Sequence, residues 1–204
     1  MFSIGRAKPG GAGIALGEGF HADETGVTES QLLQGLPARI GTDCRVLVLG
    51  SMPGAASLQQ ARYYAHPRNR FWPLMGELLG IDAQAGYEQR VSALLAAGVG
   101  LWDVIGQCRR VGSLDAAIVR GSIVANPLPA RIAALPALRA VACNGAEAHR
   151  AWLRWIAPAL PVGQAGLQVL ALPSTSPANA AFGLARLAAE WGAITGLLEP
   201  GPGS

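Results

Sequence analysis

The sequence predicts an α/β fold: three layers, α/β/α, around a central four-stranded parallel sheet. Two observations carry this reading. Four short runs rich in aliphatic and β-branched residues read as buried strands: residues 44–49, 99–105, 138–143 and 167–172. Helical periodicity or helix start signals fill the intervals between them, and such alternation places parallel strands between helical layers.

The elements follow in order. Residues 1–27 are Gly-rich and aperiodic and read as a flexible N-terminal arm; residues 28–204 read as a single domain. Thr28-Glu-Ser-Gln31 has the pattern of a capping box and predicts a short helix. Asn69 is placed to cap a helix running to Leu79, with Gly80 as its stop. Another helix is expected over Tyr87–Ala97, ended by Gly98. Beyond the second strand, a loop is expected to hold Arg109 and Arg110, with Ser113 capping a short helix. Asn126-Pro-Leu-Pro129 reads as a helix start. The helix after the third strand carries Trp152 and Trp155, and the last one aligns Leu184, Leu187, Ala188, Trp191 and Leu198.

Composition bounds the function. Of 204 residues, 50% are hydrophobic, enough for a sizeable core. The formal charge is +3, and Lys8 is the sole lysine, so arginine supplies nearly all positive charge. Arginine suits bidentate contact with phosphate, which fits nucleic acid, although a solvated surface fits equally. The three cysteines, Cys44, Cys108 and Cys143, form no C-x-x-C pair, which argues against a zinc or iron–sulfur site. Their contexts suggest buried, reduced thiols in a cytoplasmic protein. No apolar run is long enough to span a membrane, and the N-terminus lacks a signal-peptide pattern. A monomer with no metal and no membrane partner is expected.

In open parallel sheets, sites form beyond the carboxyl ends of the strands. After the first strand come Gly50-Ser-Met-Pro-Gly54 and Tyr63-Tyr-Ala-His-Pro-Arg-Asn-Arg-Phe-Trp72. Asp103 ends the second strand, Asn144-Gly145 end the third, and Pro173-Ser-Thr-Ser-Pro-Ala-Asn179 follow the fourth. Caps and turns use the same residue types; their joint arrival at one edge marks a site. Ser51 lacks the Gly-x-Ser-x-Gly setting of a hydrolase nucleophile, because Leu49 holds the first glycine position. The turn also lacks the Gly-Lys-Ser/Thr ending of a phosphate loop.

These motifs are recognisable. The Gly50–Gly54 turn, the Tyr63–Trp72 loop and Leu172-Pro-Ser-Thr-Ser-Pro-Ala-Asn-Ala180 resemble the uracil-DNA glycosylase superfamily, above all its hypoxanthine-DNA (deoxyinosine) glycosylase branch. The His-Pro-x-Asn-Arg-Phe-Trp part also resembles the mismatch-specific uracil/thymine glycosylases. The resemblance runs through residues 40–198. It implies a monofunctional glycosylase of base excision repair that flips a deaminated base, hypoxanthine foremost or uracil, and hydrolyses its N-glycosidic bond without a cofactor. The implied partner is DNA holding a deaminated or mismatched base. A catalytically inactive DNA-binding relative and a mismatch-specific uracil/thymine glycosylase are the alternatives.

The chemistry needs a stacking surface, edge-reading polar groups, donors near the leaving base and a held water. Phe71 is the stacking candidate, with a core aromatic as its other reading. Tyr64, more than Tyr63, is expected to wall the pocket, and Trp72 to sit in the core. Asn69 can orient water, as well as cap its helix. Relatives place Asp or Asn where this chain has Met52, and the resemblance to the hypoxanthine branch transfers the water-orienting role to Asn69. His66 is the other candidate. The backbone of Gly50, Ser51, Met52 and Pro53 offers N–H donors to an anionic leaving base. Asp103 can accept from an N–H-bearing base edge, and Asn144 can donate and accept. Ser174 and Ser176 are expected to contact phosphate, with Pro177, Ala178 and Asn179 completing a loop that enters the gap left by the flipped nucleotide. Leu172 stands where uracil-specific relatives carry a histidine. Arg68, Arg70, Arg109 and Arg110 are candidate phosphate contacts.

Overall fold

The computed structural model describes Met1, residues 30–161, Gln164 and residues 166–199. Four parallel strands form the central sheet in the order β3-β2-β6-β7, with β2 at Val46–Gly50, β3 at Val99–Asp103, β6 at Ala140–Asn144 and β7 at Gln168–Leu172. Side chains alternate across a strand, so β2 feeds two cores. Val46 and Val48 pack with helices α2 (Phe71–Leu79), α3 (Tyr87–Ala96) and α6 (Leu184–Trp191), through Leu74, Leu94 and Trp191 among others. Leu47 and Leu49 pack on the opposite face with α4 (Leu128–Ala133) and α5 (Ala146–Ala151). The three-layer expectation holds.

Helix α2 ends at Gly80, as expected, and α3 stops one residue before the expected Ala97. The short helix α1 (Ala55–Gln60) follows the Gly50–Gly54 turn directly. Beyond α5 the chain widens into a π-helical turn, Trp152–Ile156, that buries Trp152. A last short helix, α7 (Thr195–Leu198), completes the C-terminal run.

A second sheet departs from the expectation. It is three-stranded, in the order β1-β4-β5, with β1 at Gln31–Gln34, β4 at Ile105–Arg110 and β5 at Ile118–Ala125. Residues 31–34 therefore form a strand, not the expected helix; antiparallel pairing from Gln31↔Arg110 to Gln34↔Gln107 overrides the local signal. Thr28 and Glu29 of the capping box, and the arm apart from Met1, lie outside the described residues. Arg109 and Arg110 lie on β4, not in a loop. Ser113 does not cap the short 3-10 turn at Asp115–Ala117; Leu114 does, and the Ser113 hydroxyl accepts from the Ala55 N–H at 3.1 Å.

The expected strand 99–105 is split between the two sheets at Val104. The Val104 N–H donates to Gly50 O and the Ile105 N–H to Ser51 O, each at 2.9 Å, while Ile105 already pairs with Ala125 of β5. A third apolar cluster, Met52, Ile105, Cys108 and Ile118, fills the space between the first turn and this second sheet.

Leu49 is fully buried between the sheet and the α4/α5 layer. Leu49→Ala is expected to cost about 3 kcal/mol of stability, read by denaturant unfolding.

Candidate active site

The register places the ends of the four strands along one edge. Gly50 pairs with Asp103, Leu49 with Cys143, and Asn144 with Leu172. Gly50–Gly54, Asp103, Asn144 and the 173–179 loop therefore share one rim, as expected.

Glycine is required at two positions on it. A Cβ on Gly50 would lie 2.4 Å from Asp103 Oδ1. Gly145 has φ 102, and a Cβ there would lie 2.9 Å from Ser174 Cβ. The chain can turn from β6 into α5 beneath the 173–179 loop only without a side chain at that point.

Asn144 braces this loop. Its Oδ1 accepts from the Thr175 N–H at 2.9 Å, and its Nδ2 donates to Thr175 Oγ1 at 3.0 Å. Thr175 is fully buried and was not singled out from the sequence; the signal available was a threonine between two serines that had been assigned to phosphate. Arg70 clamps the same loop from the other side. Its guanidinium donates to Asn179 O at 2.9 Å and to the carbonyls of Ser176 and Phe182. It is thus committed to main-chain carbonyls, in place of the expected phosphate contact. Asn179 also works inside the loop, donating to Ser174 O at 2.9 Å. Ser174 and Ser176 accept from the N–H groups of Ser176 and Ala178, at 3.2 and 3.3 Å, and their hydroxyl protons remain available to a phosphate. Ala178 is exposed at the tip, beside the half-buried Pro177.

The aromatic assignment is revised. Phe71 has 0% of its surface exposed, and the Tyr64 ring lies over it with centroids 3.9 Å apart and planes 22° from parallel. Phe71 therefore has no free face for a base, and the half-buried ring above it belongs to Tyr64. Tyr64 reaches this place through a left-handed backbone, φ 55, rare for a bulky residue and characteristic of functional loops. Burial first, and then the Asp103 charge, push its phenol well above the usual tyrosine range, while Asn144 opposes this. Tyr63 and Trp72 pack in the core, with Trp72 Nε1 donating to Tyr63 O at 3.2 Å.

The expected cap at Asn69 is present as a local contact: its Oδ1 accepts from the Phe71 N–H at 2.9 Å, while Arg70 occupies the N-cap position. One lone pair of Oδ1 and both Nδ2 protons are left for other partners. His66 Nδ1 accepts from the Arg68 N–H at 3.1 Å, so the ring N–H is at Nε2. Asn69, His66 and Tyr64 open on a cleft of about 290 Å³ that Trp72 and Arg90 also line. Arg68 is exposed beside it.

Met52 points away from this chemistry, into the apolar cluster with Ile105 and Cys108. Only its backbone can serve the site, and among the described residues no hydrogen bond occupies the N–H of Met52 or Gly54. The rest of the turn is tied down. Ser51 Oγ donates to Asp115 Oδ2 at 2.7 Å, and Arg110 Nη2 donates to Pro53 O at 2.6 Å. Arg110 is 2% exposed, which excludes the expected phosphate contact; Arg109 is exposed and reaches Ser30 O at 3.3 Å. Asp115 was missed because no periodicity or motif marks it.

Asp103 is 4% exposed, and its Oδ2 has no hydrogen-bond partner among the described residues. Burial, with the Asp115 charge second, raises its carboxyl to about 7, against the opposing pull of Tyr63 and Arg110. The described residues contain no group of three or more His, Cys, Asp or Glu able to hold a metal ion.

Residues 37–195 match the family model of the uracil DNA glycosylase superfamily. The chain belongs to that superfamily. It is 33% identical over 164 residues to a hypoxanthine DNA glycosylase of Methanosarcina acetivorans, covering 79% of this chain and 96% of that one. Against a hypoxanthine DNA glycosylase of Methanosarcina barkeri it is 42% identical over 86 residues, covering 42% of this chain and about half, 54%, of that protein. A solution NMR structure of a candidate uracil DNA glycosylase from Methanosarcina acetivorans superposes with a TM-score of 0.69 at 31% identity, covering 83% of this chain and all of that one. In this superfamily member, the side chain at the middle of the first turn, Met52, is used for apolar packing.

Two expectations follow. Gly145→Ala should displace the 173–179 loop, lowering DNA affinity in fluorescence anisotropy and costing roughly 1–3 kcal/mol of stability. Asp103 has its folded proton affinity raised, from 3.8 to about 7. Its stabilising contribution is therefore complete below the ordinary aspartate range and is lost as pH rises through about 7. Asp103→Asn should remove this slope, so that thermal melting between pH 4 and 8 depends less on pH than in the wild type.

Proposed function

We propose that this protein is a monofunctional DNA glycosylase that removes a deaminated base, hypoxanthine foremost, by flipping it from DNA and hydrolysing its N-glycosidic bond. The observation that carries the reading is the rim itself. Asp103, the braced Asn144 and the free N–H groups of the first turn share it, Tyr64 lies close to Asp103 and Asn144, and Asn69 lines a cleft of which Tyr64 is also a wall. The names of the two Methanosarcina relatives support hypoxanthine as the base.

A flipped base would lie against Tyr64, where stacking contributes about 1–3 kcal/mol without regard to sequence. Hypoxanthine carries an N–H beside a C=O on the edge to be read. Asp103 in its protonated form pairs an O–H donor with a C=O acceptor, the complement of that edge; ionised, it accepts from the N–H alone. Adenine has the reversed pattern; the neutral form, whose proton can sit on either oxygen, pairs with both, whereas the ionised form has no donor for the adenine ring nitrogen and rejects it. Uracil shares the N–H/C=O edge, which makes it the second substrate to test. As the bond breaks, negative charge grows on the base, and the N–H groups of Met52 and Gly54 are donors for it. Asn69 holds water for attack on the sugar cation. A cation-like centre needs positioning more than a strong base, which suits a carboxamide. The 173–179 loop, clamped by Arg70 and Asn144, presses Pro177 and Ala178 toward the space left by the nucleotide and turns the hydroxyls of Ser174 and Ser176 to phosphate.

The test is a panel of oligonucleotides holding one hypoxanthine, uracil, xanthine or mispaired thymine, scored for abasic sites. Hypoxanthine should be excised fastest. A protein that binds these DNAs and excises none of the bases would be an inactive relative. Asn69→Ala should lower single-turnover excision by roughly two or more orders of magnitude, with DNA binding little changed. If Asn69 only supports its helix, the same variant will lose about 1 kcal/mol of stability and excise at nearly full rate. His66→Ala, measured alongside, separates the two candidates.

A further inference from the structure

We propose that Arg110 of β4 and Asp115 of the 3-10 turn that follows it are positioning residues that hold the Gly50–Gly54 turn in the shape that presents its N–H groups to the leaving base. The proposal rests on the glycosylase reading for its kinetic consequence, and on geometry alone for the contacts.

The turn has few anchors of its own. It precedes a short helix, α1, whose N-cap residue Gly54 makes no side-chain cap bond. Its polar groups are instead held from β4 and the segment after it. Ser51 Oγ donates to Asp115 Oδ2 at 2.7 Å, Pro53 O accepts from Arg110 Nη2 at 2.6 Å, and the Ala55 N–H donates to Ser113 Oγ at 3.1 Å. Arg110 is fixed in turn by its Nε bond to Gly112 O, at 3.0 Å. These contacts use carbonyls, a hydroxyl and the helix-side N–H; they leave the N–H groups of Met52 and Gly54 free among the described residues. Donors preset in this way need no reorganisation when charge develops.

The same pair bears on Asp103. Arg110 is buried with its Nη1 unpartnered, as Asp103 Oδ2 is. The groups around Asp103 are Asp115, Arg110, Tyr63 and Tyr64; those around Asp115 are Ser51, Arg110, Glu147 and Arg150. Both carboxyls feel the charge of one buried guanidinium, which is bonded to carbonyls and forms no ion pair with either acid. Removing the charge of Asp115 should make Asp103 ionise more readily, and a purely structural role for Asp115 would not produce that.

Three variants separate bond from charge. Asp115→Asn keeps an acceptor for Ser51 and removes the charge; Asp115→Ala removes both; Ser51→Ala removes the bond and keeps the charge. The carboxyl titration of Asp103, followed by carbon-13 NMR, should move to lower pH in both Asp115 variants and much less in Ser51→Ala. Single-turnover excision of hypoxanthine should slow roughly tenfold in Asp115→Ala and in Ser51→Ala, with Asp115→Asn closer to wild type. The double variant Ser51→Ala/Asp115→Ala should be no slower than either single one. An Asp103 titration identical in wild type and Asp115→Asn, or fully additive rate losses in the double variant, would overturn the proposal. A wild-type protein that excises no base would end the glycosylase reading, and the titration would still decide the pairing.

Discussion

Two hydrogen bonds between the Asn144 carboxamide and Thr175 tie the end of a central parallel strand to the loop that leaves its neighbour. The rim is organised around this tie. With Asn144 so occupied, the loop can lie against the sheet only where Gly145 has no Cβ, and Arg70 can then collect the carbonyls on its far side. Arg70 is the residue after Asn69, so the loop proposed to face DNA and the side chain proposed to hold water are fixed by the same short stretch. Neither the brace nor the clamp uses an ion pair. A guanidinium surrounded by carbonyls keeps its charge while offering its donors to the backbone, and this orders a proline-containing loop without regular secondary structure.

The opposite flank of the site is built on different physics. Arg110, Asp103 and Asp115 place one cation and two acids in a region where desolvation works against every charge. Keeping a proton on one of the acids is the least costly arrangement, which is the direction seen at Asp103. Met52 belongs to this flank too. Its side chain completes an apolar cluster beneath the turn, packed against the antiparallel sheet behind it.

The parallel sheet was legible because its strands are nearly continuous apolar runs, and a buried strand must be apolar on both faces. Gly80 and Gly98 marked helix ends for similarly local reasons. The edge on which polar residues gather followed from topology. The antiparallel sheet was not legible. Residues 31–34 carry a helix-start pattern, and β4 begins one residue after β3 with no turn signal between them. The individual roles were half legible. Asn69 bonds the first helical N–H from one residue outside the cap, which Arg70 occupies, and stays a candidate water-holder. Phe71 is fully covered and Tyr64 is not; sequence spacing cannot say which of two stacked rings lies outermost. Thr175, Arg70 and Asp115 act through long-range contacts that no local pattern announces.

The split at Val104 has a consequence for how this scaffold can vary. Strand side chains alternate with a period of two, and a single residue separates the acid at the end of β3 from the start of β4. One added or deleted residue there would reverse the parity, sending Asp103 to the far face of its sheet or turning the buried side of β4, with Arg110, toward solvent. The joint between the two sheets therefore acts as a ratchet with one tooth: substitution is open to it, and change of length is closed.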